Sequence, residues 1–172
     1  MKFIPHPYQA EAIDRIENNP CYGLFLDMGL GKTIITLTAI QNLIYDMFAV
    51  RKVLIVAPRT VAESTWQDEA KKWQHLHLRF STVLGTPRQR VMALERDADC
   101  YVISRDSVTW LCEYYRYMLP FDMLVLDFAE SVWQYEQDFK AVQTVLDMPH
   151  SADATEEQRA AFVAAMQDLI RK

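Results

Sequence analysis

The sequence predicts an α/β protein of the doubly wound kind, a parallel sheet covered on both faces by helices. Three observations carry this. Short apolar or β-branched runs recur without polar alternation, longer segments with helical spacing separate them, and a glycine-rich loop joins the first run to an apolar helix. The runs are "YGLFLD" (22–27), "KVLIVAP" (52–58), "RFSTVL" (79–84), "CYVIS" (100–104) and "DMLVLD" (122–127). A strand buried on both faces has no reason to alternate.

The intervening segments read as amphipathic helices. In "TVAESTWQDEAKKW", Ala62, Trp66, Ala70 and Trp73 share one helical face. In "SVTWLCEYYRYM", Val108, Leu111, Tyr115 and Met118 do the same. After residue 130 the pattern is helical. Val132, Tyr135, Phe139, Val142 and Leu146 align, and Pro149 ends the run. Past the loop "PHSADA", Thr155 and Gln158 have capping-box spacing ahead of Phe162, Ala165, Met166, Leu169 and Ile170. The expected division is therefore 1–130 and a helical segment, 131–172.

A chain of 172 residues, 51% of them hydrophobic, suits one domain with a sizeable core and excludes a disordered composition. No apolar run is long enough to cross a bilayer, and the N-terminus lacks a signal-peptide core. Cys21, Cys100 and Cys112 show no CxxC spacing, so the expectation is reduced, buried thiols and a cytoplasmic location. Net charge is −5, but residues 51–96 hold nine basic and four acidic groups. That local excess would suit phosphates; a merely solvated surface is the plainer alternative.

The chemistry lies in "LFLDMGLGKTIITLTAI". Glycines let the backbone curl so that its N–H groups face a phosphate, and a helix N-terminus adds partial positive charge. Gly29, Leu30 and Gly31 would form the cradle, Lys32 would reach the outer phosphates, and Thr33 would offer its hydroxyl to magnesium. Leu26 stands where the strict pattern has its first glycine.

"DMGLGKT" resembles motif I of the SWI/SNF-type DNA-dependent ATPases, a branch of the superfamily-2 helicases. Four more stretches agree in order and spacing. "IPHPYQAEAI" resembles the adenine-reading Q motif, "LIVAPRTVAESTWQDEAKKW" motif Ia and its helix, "YVISRDS" motif Ib, and "FDMLVLD" the motif II strand. The resemblance spans residues 3–127 and is nearest to compact phage and prophage versions. It implies a RecA-like lobe using ATP and magnesium. Gln9 would bond adenine, and Asp127 would be the magnesium-linked acid. Pro58, Arg59, Thr60, Ser104 and Arg105 would lie near the backbone of double-stranded DNA.

Two departures follow. The family writes Asp-Glu in motif II, whereas this chain writes "DFAE", so Phe128 replaces the glutamate that polarises water. Glu130 is the nearest acid, and its side chain should point elsewhere. No later stretch resembles motif III, whose strand in this branch lies between those of motifs I and II. A slot is then expected. It could be filled by "AVQTVL" (141–146), closed by direct pairing of its two neighbours, or filled by a partner. The second RecA-like lobe is not recognisable either, and the 42 residues from 131 on look like replacement sequence.

Other constellations are better explained structurally. His75 and His77 have no partner at metal-ligand spacing. Trp110, Tyr114 and Tyr117 suit helix packing better than base stacking, and the last helix suits packing on its own domain better than docking a partner. The reading is an ATP-binding lobe of a SWI/SNF-like DNA-dependent ATPase, weak or inactive in hydrolysis alone unless a second lobe acts in trans. A non-hydrolysing nucleotide- or partner-binding regulatory module and a truncated remnant stay open.

Overall fold

Four of the five expected runs pair into one parallel sheet. The computed structural model describes residues 1–116 and 118–127, with positions 155, 161 and 164 in isolation. The expectations for Tyr117, Phe128, Glu130, the 141–146 strand and the two C-terminal helices lie outside the described residues.

The elements are α1 (Pro7–Asn18), α2 (Lys32–Gln41, continued by a π-helical turn, Asn42–Asp46), β1 (Val53–Ala57), α3 (Arg59–Lys72), β2 (Phe80–Val83), α4 (Pro87–Leu94), β3 (Cys100–Ser104), α5 (Val108–Tyr114) and β4 (Met123–Leu126). The sheet order is β2-β3-β1-β4. Val53 registers with Cys100 on one side and with Met123 on the other.

The β1 and β3 sequences lack alternation because both strands are buried throughout. Leu54, Val56, Tyr101 and Ile103 face a cluster with α4 and α5, whereas Val53, Ile55, Ala57 and Val102 face one with α2 and α3. A fully buried side chain of this kind contributes about 1.5–3 kcal/mol, so these two strands anchor the fold. A third cluster joins Ala12 and Ile13 of α1 to Ile35 and Ala39 of α2. Ala62, Trp66 and Ala70 are the buried face of α3, as their spacing predicts.

Four expectations need correction. The run 22–27 forms no strand: it has no ladder among the described residues, although Leu24 and Leu26 pack on the third cluster. Among the described residues β4 pairs only with β1, so the strands of motifs I and II do not close directly on each other. A strand needs a hydrogen-bonded neighbour, and apolar sequence alone cannot supply one. The helix expected to reach Met118 stops at Tyr114, because the chain turns through a left-handed Arg116 (φ 48°). Met118 is therefore 59% exposed, off the core face assigned to it. Lastly, Cys100 and Cys112 are buried but Cys21 is half-exposed.

Candidate nucleotide site

The loop before α2 is shaped by two glycines. Gly29 and Gly31 both have φ of +81°, in the left-handed region that L side chains disfavour. Gly31 caps α2, and the Ile35 amide donates to its carbonyl at 3.0 Å. The preceding N–H groups of the first turn have no intrahelical acceptor, which leaves donors and partial positive charge at the loop.

Lys32 folds back over this loop. Its Nζ donates to the Leu26 carbonyl at 2.6 Å and to the Asp27 carbonyl at 3.4 Å. An ammonium has three N–H donors, so a third remains for an anion. Thr33 is half-buried, and its hydroxyl makes no hydrogen bond among the described residues.

Asp127 follows β4, and its amide donates to the Val56 carbonyl at 2.8 Å. Its Oδ2 accepts from the indole Nε1 of Trp66 at 3.1 Å. Burial pushes this carboxyl above its ordinary range, and the Trp66 hydrogen bond and the charge of Lys32 offset only part of that rise. Lys32 and Asp127 are thus close enough to interact. A hydroxyl and a carboxylate are hard oxygen donors, so Thr33 and Asp127 chemically fit magnesium.

The Q-motif region holds the loop from the side. Gln9 is 7% exposed; its Oε1 accepts from the His6 amide at 2.9 Å, and its Nε2 donates to the Leu30 carbonyl at 3.3 Å. The Tyr8 hydroxyl donates to the same carbonyl at 3.2 Å. An amide has a second N–H and a second lone pair, so these bonds leave Gln9 able to pair with a base edge. An open cleft of about 340 Å³ runs along α1, lined in part by Tyr8, Glu11, Tyr22 and Phe25 but not by Gln9.

The DNA-backbone candidates divide by exposure. Pro58 caps α3 and is half-buried; Arg59 and Thr60 are exposed; Arg105 opens a 3-10 turn after β3 and is half-buried. Ser104 is 4% exposed, and its hydroxyl is hydrogen-bonded with that of Ser107 at 3.0 Å, so it is occupied inside the fold. Pro58–Thr60, Arg105 and Asp127 all follow carboxyl ends of parallel strands, where ligands of open α/β sheets bind. Of the nine cations in 51–96, Arg59, Lys71, Lys72 and Arg79 pair with carboxylates, which reduces the charge available to a polyanion.

The remaining chemistry is structural. Burial pushes the Cys112 thiol up to about 11 and that of Cys100 further still, so neither is a ready nucleophile. Trp110 packs on the core, stacks with Tyr114 at 5.5 Å and lies under Arg90 at 5.1 Å. No group of three or more His, Cys, Asp or Glu side chains that could hold a metal ion occurs among the described residues, and His75 and His77 form none. Sequence reasoning missed the Trp66–Asp127 and Tyr8–Leu30 hydrogen bonds. Tyr8 adjoins Gln9 in sequence, but nothing in the pattern signals that Trp66 meets Asp127.

A parallel sheet, a glycine loop opening a helix, and an acid directly after β4, the strand paired with β1, define a RecA-like P-loop lobe. The profile of the SNF2-related domain matches residues 11–151. The chain belongs to the SNF2-related domain family of helicase-like ATPases. Protein p41 of Acyrthosiphon pisum secondary endosymbiont phage 1 is 34% identical over 127 residues, 73% of this chain and 28% of that protein. The bifunctional helicase and thymine dioxygenase JBP2 of Trypanosoma brucei brucei is 42% identical over 66 residues, 38% of this chain and 6% of that protein. The chain thus spans well under a third of the length of either relative. The Sulfolobus solfataricus SWI2/SNF2 ATPase core, solved in complex with double-stranded DNA, shares the fold with a TM-score of 0.55 at 15% identity. That match covers 95% of this chain and 43% of the other.

Proposed function

We propose that this chain is the ATP-binding lobe of an SNF2-type DNA-dependent ATPase, holding magnesium and ATP but hydrolysing it weakly or not at all alone. The observation that carries this is the convergence of the two left-handed glycines, Lys32 and half-buried Asp127 at one end of the sheet. Gly29, Leu30, Gly31 and Lys32 hold the phosphates, Gln9 holds the adenine, and Thr33 with Asp127 holds magnesium. The metal, when bound, neutralises phosphate charge. The chain's own residues orient the nucleotide and exclude water from its buried side. In this reading residues 1–130 belong to the lobe, and the family match runs on to residue 151.

Weak turnover follows from the sequence, where Phe128 stands in place of the acid expected after Asp127. Loss of a general base commonly costs about 10²–10⁴ in rate. Arg59, Thr60 and Arg105 would touch DNA phosphates, positioning the duplex without reading its sequence. A second RecA-like lobe is the natural partner for completing the cleft. The same Phe128 favours a second reading, a regulatory module that binds nucleotide without turning it over.

Calorimetry with magnesium and ATP tests the proposal. The folded wild-type chain should bind, and Lys32→Ala should abolish binding. Unchanged affinity in Lys32→Ala removes the phosphate-loop reading. Phosphate release that rises strongly with duplex DNA would contradict weak turnover.

A further inference from the structure

We infer that Trp66 is a positioning residue for Asp127: its indole N–H fixes the acid's carboxylate and sets which oxygen is left for magnesium. The inference rests on the nucleotide-site reading above and adds a residue to it.

Trp66 is 4% exposed and lies on α3, in the cluster beneath β1 and β3. Its ring is therefore held by packing, and its N–H points from a rigid helix. An indole N–H donates and never accepts, so its partner must be an acceptor. That partner is Asp127 Oδ2, at 3.1 Å. The Asp127 backbone is pinned separately by its amide bond to Val56. Backbone and carboxylate are thus held by two different elements, β1 and α3. Among the described residues Oδ1 makes no hydrogen bond, so one oxygen is engaged and the other is left for a cation.

The dependence is mutual. Without the carboxylate the buried indole N–H loses its acceptor, which favours one rotamer of both side chains. Trp66 also lies two helical turns from Arg59 and Thr60, which open α3. The helix that presents the proposed DNA-facing loop is therefore the one that holds the magnesium-linked acid.

Partners that orient a metal ligand without touching the metal typically change metal affinity about 10–100-fold when removed. Trp66→Phe keeps the ring's bulk and deletes the N–H. ATP affinity is measured by calorimetry with and without magnesium in both proteins. The magnesium-dependent gain should fall about 10-fold in Trp66→Phe while magnesium-free affinity stays within about twofold. An unchanged gain overturns the inference, and so does an equal loss with and without the metal, which is the mark of a packing role. A second readout needs no nucleotide. The Trp66 indole N–H resonance, assigned by its loss in Trp66→Phe, should shift on Asp127→Ala. An unshifted signal overturns the positioning role alone, whereas no ATP binding by the wild type sinks the nucleotide reading and the positioning role with it.

Discussion

Replacing Gly31 by alanine tests how the Q-motif region and the phosphate loop depend on each other. Gly31 has φ 81° and ψ 31°. Holding an L-residue there costs about 1–2 kcal/mol. A stiffer unfolded chain offsets roughly 0.4–1 kcal/mol of that. The added Cβ would also stand 2.8 Å from Gln9 Nε2 and 3.1 Å from Ile34 Cγ2. Gln9 is buried and bonded at both ends of its amide, so it cannot swing clear freely. Losing its bond to Leu30 adds about 1 kcal/mol, more if the amide is left unsatisfied. Gly31→Ala should therefore destabilise by about 2 kcal/mol. Gly29→Ala is the internal control, because its φ is also +81° but nothing lies within 4 Å of its added Cβ. It should show the backbone strain alone, about 1 kcal/mol after the offset. Urea denaturation of the two variants without nucleotide measures the difference. Equal midpoints would refute the idea that Gln9 braces the loop.

His75 should make the fold sensitive to acid. Thr38 Oγ1 donates to the Ile34 carbonyl, so its contact with His75 Nε2 at 2.9 Å requires the histidine to donate there, and the buried Nδ1 has no partner among the described residues. Burial, and then the charge of His77, hold the imidazole below its ordinary value of 6.5. The unfolded chain then binds the proton first, so stability is whole above that value and falls as pH drops through it toward the folded value. Urea midpoints at about pH 5.5 and 7.5 should differ less in His75→Gln than in the wild type; an identical difference would exclude His75 as the cause. Asp99→Ala should cost about 2–4 kcal/mol by chemical denaturation. Its 3%-exposed carboxylate accepts from the Tyr45 hydroxyl and from three nitrogens of Arg79, tying the starts of β2 and β3 together, and a loss below about 1 kcal/mol would show that the network is dispensable.

The sequence alone determined the local features. Non-alternating runs marked β1 and β3 because burial on both faces is imposed residue by residue, whereas β2 at the sheet edge alternates and β4 is half-buried along its length. The spacing of Ala62, Trp66 and Ala70 marked the buried face of α3 for the same reason. "DMGLGKT" marked the phosphate loop, since the left-handed turns there require glycine at Gly29 and Gly31. Pairing is not local. The run 22–27 looks like β1 in composition, yet it has no ladder among the described residues, because a ladder needs a neighbour at the right edge. The length of α5 depended on the left-handed turn at Arg116, which no periodicity announces. Ser104 lies in a recognisable motif, but only its packing revealed that its hydroxyl is spent on Ser107. The Trp66–Asp127 hydrogen bond joins residues 61 apart in sequence, and it exists because β1 carries α3 over the end of β4. Chemistry confined to one turn of chain was legible in the letters; contacts between elements were set by the sheet that brings them together.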